Sequence, residues 1–266
     1  MTVSALHQIG IEVGGLPMLV STKDSAFRDQ LAAHYAGFIS QTREPRFHLD
    51  VELLPQTLDP GAEISVEAKN GKWNVRRADF IAECDPNSGR ASIRQSAGTH
   101  SFDSVLRIVH TLALASEGGF LLHAASAIRN GRAFIFSGVS GAGKTTLTRM
   151  APADATILTD EVSYVRLRSG VFEACGTPFA GELARNGTNT AAPIETLFFL
   201  EQGPENHLGE MQPQEALRCL LRNILFFAVD PELVSKLFRT ANEFVASIPI
   251  RRLTFRPEPQ VWSLIQ

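Results

Sequence analysis

One stretch restricts the folds open to this chain more than any other: Phe134-Ile-Phe-Ser-Gly-Val-Ser-Gly-Ala-Gly-Lys-Thr-Thr-Leu147. An apolar run from Ala133 to Phe136 leads into Gly138, Val139, Ser140, Gly141, Ala142, Gly143, Lys144, Thr145 and Thr146, and helix-compatible residues up to Met150 lead out. The spacing G-x-x-x-x-G-K-T between a strand and a helix start is the P-loop pattern. Its glycines let backbone N–H groups converge on a phosphate with no Cβ in the way. A helix N-terminus adds partial positive charge. Lys144 then has the reach for β- and γ-phosphates, and the Thr145 hydroxyl can ligate magnesium. The expected ligands are ATP and Mg2+.

The surroundings predict an unusual seat for that loop. Leu121–Ile128, an Asn130-Gly131 turn and Ala133–Phe136 read as a hairpin. Ordinary P-loop enzymes place this strand in a parallel βαβ-type sheet; here it reads as the second arm of an antiparallel pair. Thr156–Leu158, Val162–Leu167 and Val171–Cys175 read as further strands, with Thr159-Asp160-Glu161 between the first two. A polar loop opens with Gly176-Thr-Pro-Phe-Ala-Gly-Glu182 and runs to Ala192, and Ile194–Leu200 reads as a buried strand. Helices are expected over Pro213–Val229 and from Asp230-Pro231-Glu232, each with an apolar stripe for a core. Arg252–Phe255 and Val261–Ile265 read as closing strands.

Residues 1–100 carry strand material over Ile9–Val20, broken at Gly14-Gly15, and a helix over Ser25–Ser40. Phe47–Leu54 alternates as a half-buried strand, and Ile64–Ala68, Trp73–Val75, Phe80–Glu83 and Ala91–Gln95 are short strands. Arg76, Arg77 and Arg94 read as a solvated sheet surface. A helix over Ser101–Ser116 opens the second part. The expectation is an α/β protein, with an N-terminal α+β domain (1–100) and a mixed-sheet domain (101–266).

Composition narrows the partners. With 44% hydrophobic and 20% charged residues the chain has the make-up of a globular domain. A net charge of −3 leaves no electrostatic footprint for nucleic acid. The apolar runs are too short to span a bilayer, so no membrane partner is expected. Met1–Gly15 lacks the regions of a signal peptide, and Cys84, Cys175 and Cys219 form no metal or disulfide spacing, which suits a cytoplasmic location. Each cysteine reads as a small buried hydrophobe.

A phosphoryl transfer needs a metal relay and a base for the hydroxyl proton. Asp160 and Glu161 stand at a strand end, where carboxylates can reach a metal and a γ-phosphate. Successive strand residues face opposite ways, so both can turn to one site only if the strand has ended. Asp160 is the expected base and Glu161 the assistant to metal or Lys144. Glu182 is an acid in a glycine-bearing loop, a candidate for the magnesium shell. His123, beside the loop strand, can donate to a phosphate. Arg222, on an apolar helix, carries a fork suited to phosphate.

Together, Leu122-His123-Ala124, the hairpin, Gly138–Thr145 and Thr159-Asp160-Glu161 resemble the C-terminal catalytic domain of HPr kinase/phosphorylase. More closely, the chain resembles stand-alone HPr-kinase-like bacterial proteins with the run LLHAA…SGxSGAGKTTL…LxD[DE]…GTPFxGE. The resemblance runs over residues 101–225. It implies a fold related to phosphoenolpyruvate carboxykinase, His123 and Arg222 as active-site residues, and Asp160 as proton acceptor. It also implies Lys144 as the phosphate lysine, with Thr145 and Glu182 as magnesium ligands. Some relatives occur beside clusters for ribosomally made peptides and phosphorylate a serine of the precursor, and some form rings, which leaves a homo-oligomer open. True HPr kinases have Asp-Asp where this chain has Asp160-Glu161, and Gly181–Gly187 replaces their HPr-contacting stretch. The expected function is therefore an ATP- and Mg-dependent kinase acting on a serine of some other peptide or protein. A small-molecule kinase, a carboxykinase-like enzyme or a non-catalytic nucleotide-binding regulator are the alternatives.

Overall fold

The computed structural model describes residues 5–55, 63–181, 187–228 and 230–266. It is a mixed α/β structure of two compact units: Met1–Ala113 with Phe226–Val234, and Leu114–Leu225 with Ser235–Gln266.

In the first unit, β1 (His7–Val13) and β2 (Leu16–Thr22) form a hairpin. Gly14 and Gly15 turn it at φ of 60° and 73°, a left-handed pair that side chains resist. Five more strands follow: β3 (Phe47–Leu54), β4 (Ser65–Lys69), β5 (Lys72–Arg77), β6 (Phe80–Asp85) and β7 (Arg90–Ser96). They complete a seven-stranded sheet in the order β1-β2-β3-β7-β6-β5-β4, parallel where β3 meets β2 and β7. Helix α1 (Ser25–His34) starts where the Asp24 carboxylate accepts the Phe27 N–H at 2.8 Å. It stops six residues short of the expected Ser40, because the chain leaves it to pair with the β1 edge: Ser40 N–H donates to Gly10 O at 2.9 Å. Helix α2 (Thr99–Glu117) packs Phe102 edge-on against Phe27, with ring centres 6.2 Å apart. Arg77 is not on the solvated surface. Its side chain is 7% exposed and pairs with Asp79, which also accepts from the Ser101 hydroxyl. Cys84 is buried, and burial first, then the charge of Asp85, pushes its thiol up to about 12.

The second unit is built on two long strands, β8 (Gly119–Arg129) and β13 (Ala191–Gln202). Strand β9 (Arg132–Ser137) lies between them, antiparallel to β8 and parallel to β13. The loop strand is thus both a hairpin arm, as its turn predicts, and a member of a parallel pair. With β11 (Val162–Arg168) and β12 (Val171–Cys175) the pairings close a circuit, β8-β11-β12-β13-β9-β8. Strand β10 (Thr156–Thr159) adds to β8, while β14 (His207–Glu210) pairs with β16 (Ile250–Phe255), which extends β13. Phe134, Phe136, Phe198, Leu200, Leu253 and Phe255 fill the core beneath β9.

Local patterns fail at three places here. Helix α4 (Pro213–Asn223) ends early because Ile224 and Leu225 form a short β15 that pairs with Leu122 and Leu121 of β8. Val261–Ile265 is not a strand. Pro259–Leu264 forms a 3₁₀ turn that lays Trp262 on Phe136, ring centres 5.6 Å apart, and lets its indole N–H donate to Leu147 O. On α5 (Pro231–Ser247) the stripe is only partly core: Leu233, Leu237, Ala241 and Phe244 are buried, but Val234 and Phe238 are exposed. Among the described residues no helix is long and apolar enough to cross a membrane. Cys175 is buried, and burial raises its thiol to about 11, whereas Cys219 is only half-buried.

Candidate functional site

The site gathers where β9 ends against the middle of β8. Strand β9 ends at Ser137, and the chain then turns through Gly138–Gly143 into helix α3, which spans only Lys144–Arg149. Gly141 and Gly143 hold φ of 79° and 104°, in the left-handed region. A Cβ on Gly143 would stand 2.6 Å from the Phe255 ring, so the loop lies directly on the core. Gln202 braces it, its amide donating to Gly141 O at 2.7 Å. Lys144 is buried and its ammonium donates to Gly138 O at 3.4 Å, which folds the side chain back over the loop. Ala142 is also buried, Val139, Ser140 and Gly141 are exposed, and Thr145 and Thr146 are half-buried.

A row of backbone contacts across β9 and β8 ties this loop to the acidic pair. Ser137 stands opposite Ala124 of β8, and its hydroxyl donates to His123 O at 3.0 Å. On the other side of β8, Ala124 N–H donates to Glu161 O at 3.0 Å. Two strand spacings separate the Ser137 and Glu161 backbones, roughly 10 Å. His123 lies within this row, its Nε2 3.4 Å from Glu161 Oε1, and both side chains are about one-third exposed (33% and 34%).

The strand has ended before the acids begin. Thr159 closes β10, and its hydroxyl accepts the N–H groups of Glu161 and Val162 at 3.3 and 3.2 Å. This side-chain turn replaces the alternation that would have sent the two carboxylates to opposite faces. Both now face Gly181. Its N–H donates to Asp160 Oδ1 at 2.9 Å, and Glu161 Oε2 lies on the same side. Asp160 is 2% exposed. Thr177 fixes the approach of this loop: its N–H donates to Leu158 O and its hydroxyl to Val162 O.

Arg222 is exposed on the last turn of α4. The β15 register puts Ile224 opposite Leu122, so Asn223 arrives level with His123 at the middle of β8, directly after Arg222. Glu182 lies outside the described residues. Among the described residues no three His, Cys, Asp or Glu side chains form a ready cage. Thr145 and Glu161 nonetheless offer hard oxygen donors of the kind magnesium takes, one or two at a time, alongside phosphate oxygens and water. Thr159, Gly181 and Ser137 stand inside the motifs read from the sequence, but no role of their own was expected of them. The Ser/Thr-x-x pattern of a side-chain turn at Thr159 was the readable signal; Gly181 gave none without the fold.

The family model described as SynChlorMet cassette protein ScmC matches residues 94–266. No curated protein matches the chain. Among solved structures there is a likeness to the Hpr(Ser) kinase/phosphatase from Coxiella burnetii, at 10% identity and a TM-score of 0.26. It covers 45% of this chain and 88% of that one.

Proposed function

The chain belongs to the SynChlorMet cassette protein ScmC family, and we propose that it is an ATP- and Mg-dependent kinase of HPr-kinase-like type, acting on a hydroxyl, foremost a serine of a peptide or protein. The observation that carries this reading is the row Ser137–Ala124–Glu161, which sets the glycine loop, His123 and the acidic pair beside one another where β9 ends. A phosphate site alone would not require two carboxylates and a histidine next to it.

In this reading the Gly138–Gly143 backbone and Lys144 hold the β- and γ-phosphates. Thr145 and Glu161 would hold magnesium, which would supply positive charge to offset that of the phosphates. Asp160 takes the hydroxyl proton as the acceptor oxygen bonds to the γ-phosphorus and the bond to the β–γ bridging oxygen breaks, leaving ADP. Burial of Asp160 keeps bulk water from the base, which favours transfer over hydrolysis. His123 and Arg222 would add positive charge or donors around the transferring group. Positioning and charge neutralisation supply most of the rate.

The test is ATP affinity and ADP release by the pure protein with magnesium, with and without serine-containing peptides. ADP release that rises with peptide, with phosphoserine found by mass, is the expected result. Turnover of free metabolites with no phosphopeptide would assign a small-molecule enzyme instead. Tight ATP binding with no ADP would assign a regulator, and no nucleotide binding would overturn the phosphate-loop reading.

A further inference from the structure

Gly181 lacks a side chain for a reason its own backbone does not supply. Its φ lies outside the left-handed region, so any residue could adopt this conformation. Space is what excludes a side chain. A Cβ would stand 2.8 Å from Glu161 Cβ, 2.9 Å from Glu161 Oε2 and 3.1 Å from Asp160 Oδ2. The first contact is with an atom fixed to the backbone, so it cannot be relieved by swinging a flexible tip. The same residue reaches Asp160 with its N–H, at 2.9 Å from Oδ1. Four residues earlier, Thr177 anchors the start of this loop to β11, its hydroxyl donating to Val162 O at 2.9 Å.

We infer that Gly181 is a positioning residue for phosphoryl transfer: its N–H engages Asp160 Oδ1, and its bare Cα leaves the room that Asp160 Oδ2 and Glu161 Oε2 occupy beside it. This rests on the kinase reading above. Gly181 itself touches no substrate in this scheme; it acts through Asp160. A carboxylate with one oxygen committed to a fixed donor has lost most of its freedom to rotate, and the other oxygen is then aimed.

The experiment compares Gly181→Ala, Asp160→Asn and the double variant, measuring ATP affinity and the kcat of peptide phosphorylation. Gly181→Ala should lower kcat about 10- to 100-fold, the scale of a misplacement near 1 Å, with ATP affinity within about twofold of wild type. In the Asp160→Asn background the same change should cost nothing further, because both act on one group. Unchanged kcat in Gly181→Ala, a parallel fall in ATP affinity, or full additivity in the double variant would each overturn the inference. If Gly181→Ala proves poorly folded by thermal unfolding, Thr177→Val and Thr177→Ser take its place. They leave the space at Gly181 untouched: Val should lower kcat alone and Ser should restore it, and an unimpaired Thr177→Val overturns the inference. A wild-type protein that binds ATP without turnover overturns the kinase reading and this role with it. Wild-type turnover beside an unimpaired Gly181→Ala overturns this role alone.

Discussion

Strands β3 and β9 bury their side chains on different plans. Along β3, Phe47, Leu49 and Val51 point inward while Asp50 and Glu52 face solvent, and Glu52 meets Arg94 of the neighbouring β7 there. Along β9, every residue from Ala133 to Ser137 is buried, and β8 beside it is buried over residues 119–122 and 124–127, with His123 as the break. A sheet wet on one face spreads its charge along the strands and pairs it on the surface, where each pair contributes little. Around β9 there is no such place. Ser137 and Thr159, both buried, close their strands, buried Asp160 follows Thr159, and buried Lys144 opens α3. A buried polar residue beside β9 therefore calls for an explanation; an exposed one on β3 mostly does not.

The sharpest test of that contrast is Lys144→Ala, which should abolish ATP turnover, a loss of about 100-fold or more for a group holding transferring charge. Wild-type turnover in this variant would break the contrast outright. Asp160→Asn should keep ATP affinity and lose transfer by about 10²- to 10⁴-fold; normal transfer would remove Asp160 as the base. Phe136→Ala, in the core beneath the loop, should cost about 3–5 kcal/mol in denaturant unfolding.

The first sheet also buries a carboxylate, Asp79 in the turn between β5 and β6, which sharpens the comparison. Burial raises the Asp79 carboxyl, but hydrogen bonds from Arg77 and Ser101 outweigh it and leave the group below the usual carboxylate range. Its folded value is depressed, so its stabilisation is present above the unfolded value of about 3.9 and is lost as pH falls through the lower folded one. Asp79→Asn should destabilise by about 3 kcal/mol at neutral pH, by leaving Arg77 buried without its charge partner. That deficit should shrink as unfolding is measured at progressively lower pH through the acid range. A constant deficit would mean that lost packing rather than charge sets it. At the far end, Arg94→Ala on the wet face should change stability by no more than about 0.5 kcal/mol.

Much of the local structure was legible because its causes are local. Asn130-Gly131 and Gly14-Gly15 announce their hairpins, and Asp230 caps its helix as its position predicts, accepting the Leu233 N–H at 2.9 Å. What stayed hidden depends on chain segments far apart. Nothing in Ile224-Leu225 says that a strand a hundred residues earlier will claim it and end α4. The parallel neighbour of β9 and the 3₁₀ turn under Trp262 are of the same kind. Within the site, the loop and the acids can be read as motifs, and the Ser137–Ala124–Glu161 row brings them together where β9 ends. That Asp160 and Glu161 turn the same way follows from the Thr159 turn, and that Gly181 meets them follows only from the fold.

The circuit of strands around β9 also sets an order in time. The hairpin with β8 closes across two residues and can form as soon as it leaves the ribosome. Its other neighbour, β13, and the Phe255 ring beneath Gly143 come much later in the chain. Until they are synthesised and docked, the glycine loop has one wall and no floor. Long-range pairings of this sort form slowly, so the glycine loop takes its final seat only once β13 and β16 have docked against it.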